Sequence, residues 1–88
     1  MRVLNLYSVN GMLISSRPGV PGLKSLNAIA REHQGYAALL TENGSKISGF
    51  QWDISLYFNG KVIQEKKGND AICITDEIFN MIHKNILQ

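Results

Sequence analysis

The dipeptide Asn59-Gly60 separates KISGFQWDISLYF (residues 46–58) from KVIQEKK (residues 61–67), and no other feature narrows the fold so far. Asn-Gly accepts positive φ at both central positions of a two-residue turn, so the two runs are expected to fold back on each other as the central hairpin of a sheet. Phe50, Trp52, Ile54, Leu56 and Phe58 share one parity and give the first run a single apolar face. Ile47 falls out of that phase with Gly49 between, which marks a bulge or kink. Tyr57 has the opposite parity, with Asp53 and Ser55, and reads as an exposed contact residue.

The same logic extends outward. Residues 2–8 alternate, Asn10-Gly11 offers a second hairpin turn, and residues 12–16 read as the return strand. Arg17–Gly22, with its two prolines and two glycines, reads as a loop. Ser25 is placed to cap a helix whose apolar stripe is Leu26, Ile29, Ala30 and His33, and Gly35 ends it. Tyr36–Leu40, YAALL, suits either a short helix or a buried strand, and Asn43-Gly44 suits either a helix stop or a turn. The extended reading is preferred here, with the chain after Gly35 joining the sheet. Gly68-Asn69-Asp70 reads as a turn and AICIT (residues 71–75) as a short strand. The last segment reads as an amphipathic helix capped by Thr75, with Asp76 and Glu77 at its positive end and Lys84 near its negative end. Its buried stripe is Ile78, Met81, Ile82 and Ile86, flanked by Phe79 and Leu87.

These elements amount to one α+β domain over residues 1–88: an antiparallel sheet of four or five strands with one internal helix and one C-terminal helix, both on one face. Eighty-eight residues allow one modest core. With 44% hydrophobic and 18% charged residues, the chain is a folder and not a disordered segment. A lone cysteine, Cys73, excludes an internal disulfide and reads as a buried small hydrophobe. One Cys and two distant His cannot build a metal site, and no cofactor motif is present. The N-terminus has no signal-peptide h-region and no apolar stretch is long enough to span a bilayer, so a cytoplasmic location is expected.

The net charge of +2 is too small to diagnose a nucleic-acid binder. Its distribution is uneven, residues 1–50 carrying five basic groups against two acidic ones. Arg17, Lys24, Arg31 and Lys46 in that half are the candidates for phosphate contacts; the plainer reading is scattered surface charge. His33, Glu32 and Tyr36 could serve acid–base chemistry of a small ribonuclease. No nucleophile motif, phosphate loop or carboxylate pair supports that, and the chain reads as non-catalytic.

Asn10-Gly11, Ser25, Ala28, Ala30, Leu40, Gly44, Lys46 and Gly49-Phe50-Gln51-Trp52 together resemble the modular DNA-binding repeat of intron-encoded homing endonucleases, over about residues 5–53. The resemblance implies a helix-turn-helix-like module at residues 25–52, with Tyr36–Leu40 as a recognition helix in the major groove. YAALL, however, holds no Arg, Asn, Gln or Lys to read base edges. By size and lack of motifs the chain also looks like small phage-encoded inhibitors of host defence, such as anti-CRISPR proteins. The first expectation is therefore a small non-catalytic protein-binding inhibitor that occludes a partner, with Tyr57, Lys66 and Lys67 as contact residues. The alternative is a small nucleic-acid-binding regulator. A homodimer is expected under either, through the C-terminal helix or a free sheet edge.

Overall fold

A computed structural model of the protein describes residues 2–18, 23–70 and 74–87. Its elements are β1 (Arg2–Tyr7), β2 (Leu13–Pro18), α1 (Leu23–Glu32), β3 (Tyr36–Ser45), β4 (Gly49–Phe58), β5 (Lys61–Asp70) and α2 (Ile74–Ile86). The strands form one antiparallel sheet in the order β2-β1-β3-β4-β5. Since β2 and β3 both pair antiparallel with β1, they run parallel on either side of it, and α1 crosses over β1 to link them. The α+β class and both expected helices are present.

The chain after Gly35 is strand, so the recognition helix implied at Tyr36–Leu40 is absent and residues 25–52 hold one helix and a hairpin. β3 is the central strand, and its first five residues are buried on both faces. That explains the ambiguous YAALL, because a strand covered on both sides loses its alternation. Ala37 and Leu39 join Leu4, Leu6, Tyr57 and the α1 residues Leu26 and Ala30 in one core layer. Tyr36, Ala38 and Leu40 join Ile54, Leu56 and the α2 residues Ile78, Met81 and Ile82 in the other. The helices therefore cover opposite faces, contrary to the expected one-sided cover. Each can seal only one layer, and the sheet's inner strands carry apolar side chains in both directions. The β4–β5 hairpin is correspondingly displaced from the centre to one edge.

The turns divide sharply. At Asn59-Gly60 both residues take positive φ, 50° and 83°, as a tight hairpin requires. Asn59 also latches the neighbouring bend: Gly35 N–H donates to its Oδ1 at 2.8 Å, and Asn59 N–H donates to the Gly35 carbonyl at 2.9 Å. In the β1–β2 connection only Gly11 is left-handed, and Ser8 closes a wider loop by accepting from Met12 N–H at its Oγ, 3.2 Å away. Asn43-Gly44 makes no turn but lies within β3, and the chain reverses at residues 46–48. Gly68–Asp70, expected as a turn, instead continues β5 across a bulge, with Asn69 opposite Trp52. Gly68 absorbs the distortion at φ 72°, and its N–H donates to Asp53 Oδ1 at 3.1 Å.

Both helices begin earlier than expected. Ser25 and Thr75 sit in the first turns of α1 and α2 and not at their caps. Ile74 and Thr75, expected in a strand, start α2; residues 71–73 with Cys73, and the Pro-Gly segment 19–22, lie outside the described residues. The buried stripe of α2 is Ile78, Met81 and Ile82 alone, while Ile86 lies at the exposed end.

Candidate interaction surface

β3 and β4 pair over ten residues each, from Tyr36 opposite Phe58 to Ser45 opposite Gly49. β1 accompanies β3 only as far as Thr41, opposite Arg2. Among the described residues, Glu42–Ser45 has β4 as its only partner, and β5 accompanies β4 only as far as Gln51, opposite Asp70, so the hairpin tip Gly44–Phe50 projects as a short arm from one end of the sheet. Ten residues at about 3.4 Å each make strands of roughly 34 Å, in keeping with the longest dimension of 38 Å.

The apex of the arm is tied by its own side chains. Ser45 Oγ accepts from Ile47 N–H at 3.2 Å and Ser48 N–H at 3.1 Å, and Ser45 N–H donates to Ser48 Oγ at 3.1 Å. Gly44 packs so closely on the Gly49 carbonyl that a Cβ there would overlap it. This braced turn holds Ile47 entirely in solvent, 99% exposed, beside Lys46 and the half-exposed Phe50. Lower on the arm, Asn43 Nδ2 donates to Asp53 Oδ2 at 2.6 Å, fixing register across the two strands.

The residues singled out from sequence scatter. Arg17 is exposed on β2 and Lys46 at the apex, both toward the arm end of the sheet. Arg31 lies at the opposite end, where its carbonyl abuts Gly60 in the β4–β5 turn. The side chain of Lys24 lies outside the described residues. The three described cations thus do not share one patch. Lys67 is exposed near the base of the arm, and Lys66 forms an ion pair with Glu77 on α2. Tyr57, expected at the surface, is only 8% exposed and packs under α1, its hydroxyl 3.5 Å from Asn27 Oδ1. The parity was read correctly; the error was to assume that the second face is wet.

His33 and Tyr36 do not meet as an acid–base pair. His33 Nε2 donates to the Tyr7 carbonyl at 2.7 Å, whereas the Tyr36 hydroxyl sits on the α2 side and accepts from Asn85 Nδ2 at 2.7 Å. Among the described residues, no three His, Cys, Asp or Glu side chains gather as a metal site. No described helix is long and apolar enough to cross a membrane.

A second exposed feature lies on the α2 face, over β1 and β2. It is an apolar groove of about 470 Å³ walled by Tyr7, Met12, Leu13, Phe79 and Ile82. Burial pushes the Tyr7 phenol above its ordinary value of 10.0, and the hydrogen bond from Asn5 Nδ2, at 3.3 Å, opposes that shift. Sequence reasoning missed Ile47 and this groove. The out-of-phase position of Ile47 was the available signal for the first. Met12 and Leu13, read as part of a short return strand, gave none for the second.

The structure defines an α+β protein with a helix on each face of its sheet and a projecting hairpin arm. Compared with protein-family models, with curated proteins and with solved structures, the chain finds no match in any of the three.

Proposed function

We propose that this is a small non-catalytic interaction protein that works by occluding a protein partner, as phage-encoded inhibitors of host defence complexes do, and that the arm is the part that engages. The observation that carries the reading is the braced apex. A surface isoleucine contributes nothing to folding when wholly solvated, yet Ser45 and Ser48 hold the turn that presents it. Binding through a rigid element avoids much of the cost of ordering a loop on contact. Ile47 and Phe50 supply the apolar anchor, and Lys46 and Lys67 the polar rim. The arm favours a protein over a polyanion, because Lys46 is offset by Glu42 and Asp53 on the same hairpin.

The test places a photo-crosslinking residue at position 47, and separately at exposed Glu65 on β5, in extract of the cell that expresses the protein. The expected result is one crosslinked protein from position 47 and none from position 65. Unmodified protein should compete, and an Ile47→Asp variant should not. In parallel, duplex and single-stranded oligonucleotides are titrated at low and moderate salt. Binding that weakens steeply with salt, without a crosslink at 47, would favour the nucleic-acid regulator instead.

A further inference from the structure

We infer that the α2/β2 groove is the contact surface of a homodimer, with Met12 and Leu13 of each copy seated in the groove of the other. This surface is separate from the arm. The patch carries both the hole and what would fill it. The groove measures about 470 Å³. A dry cavity of roughly 150 Å³ is what one deleted large aliphatic side chain leaves, so the groove takes about three such groups. Three exposed side chains stand on its rim: Met12 at 72%, Leu13 at 61% and Phe79 at 52% exposure. A two-fold contact requires a patch complementary to itself, and knobs beside a hole of matching size meet that requirement.

Charge points the same way. None of the described residues lining the groove is charged, so two copies that each carry +2 meet there without like-charge repulsion. Another groove on α2 is lined by Lys66, Glu77, His83 and Lys84 among others and offers no such surface. The patch is also extended: beside Met12, Leu13 and Phe79, Ile86 is 42% exposed and its side chain reaches Gly11 at the groove's end, and grouped exposed apolar side chains mark an interaction surface.

Sedimentation equilibrium from about 1 to 500 µM tests the inference, with the expected monomer–dimer transition inside that range. Met12→Lys and Phe79→Glu should each weaken the dimer by about 100-fold or more, because the two-fold axis buries each new charge twice. Ile47→Lys, on the arm, should leave it unchanged. Methyl NMR supplies a local reading: the Met12 methyl resonance should move with protein concentration, while that of Met81, buried in the core, should not. A wild-type protein that stays monomeric to 500 µM would overturn the inference, as would a dimer indifferent to Met12→Lys or one lost in Ile47→Lys. None of these results depends on what the arm binds.

Discussion

Replacing Tyr57 by alanine separates a sheet covered on both faces from one with a wet back. A tyrosine buries roughly 150–250 Å², and at about 25 cal/mol per Å² that is on the order of 4–6 kcal/mol. Alanine keeps part of the contact, and the hole it leaves under α1 relaxes incompletely, so the expected loss is about 3–4 kcal/mol. Tyr57 at 8% exposure leaves little surface to discount. With a urea slope of roughly 1 kcal/mol per M for a domain of this size, the unfolding midpoint should fall by about 3 M. That approaches the whole stability expected of a small domain, so Tyr57→Leu is the companion variant, expected to lose about 1–2 kcal/mol. Tyr57→Phe should cost under about 1 kcal/mol, since its hydroxyl makes one long contact with Asn27. Ile47→Ala, at the solvated apex, should stay within about 0.5 kcal/mol of wild type. Chemical denaturation followed by Trp52 fluorescence reads all four. A Tyr57→Ala midpoint within error of wild type would refute the two-layer core and return Tyr57 to the surface as a contact residue.

Other perturbations address the turns and the charges. Gly44→Ala should cost about 1–3 kcal/mol and loosen the arm, because φ is +102° and the new methyl would overlap the Gly49 carbonyl; urea unfolding and amide exchange at residues 43–50 would show it. Tyr7, with its folded pKa raised by burial, favours the folded state fully below pH 10.0 and loses that contribution as pH rises from there through the folded value. Stability should therefore fall above about pH 10, and Tyr7→Phe should flatten that part of the profile relative to wild type. Lys66→Met or Glu77→Gln should each change stability by less than about 1 kcal/mol, since the paired side chains are 36% and 26% exposed, and added salt should narrow the difference.

What the sequence disclosed depended on how many sides of an element are covered. β4, whose first run carries Ile54 and Leu56 on one parity, was legible as a strand, and so was the turn at Asn59-Gly60, where local chemistry and tertiary pairing ask for the same backbone. α1 was legible because its stripe meets the sheet on one face. β3 was not, since burial on both faces leaves YAALL without a period and only the positive φ of Gly35, 120°, marks where the helix has ended. Asn43-Gly44 misled for a related reason. Gly44 takes a positive φ of 102° inside a strand, where Gly49 comes too close for any side chain, and a dipeptide cannot distinguish a close approach from a turn. The candidate surfaces were harder still. A fully solvated Ile47 obeys no burial pattern, and the groove joins residues near position 12 to others near position 80, a pairing that only the tertiary fold creates.

The two core layers also limit where this protein can do anything. With α1 and α2 seated on opposite faces, the middle of the sheet is consumed by its own packing, and Tyr57 goes with it. What the helices leave open includes the hairpin tip beyond the ends of β1 and β5 and the β2 side of α2. These two places differ in kind. The arm is narrow, braced by serines and carries charges of both signs, which suits insertion into a concave surface of another protein. The groove is wider, uncharged and flanked by side chains of the size it can hold, which suits contact with its own kind. A dimer joined through the grooves leaves both arms outside the contact, so one copy's partner need not displace the other copy. If both interactions occur, a partner with two equivalent sites would be held by two arms at once, and disrupting the dimer with Met12→Lys would lower the apparent affinity by 10-fold or more without altering any residue of the arm, a drop on the scale of lost avidity.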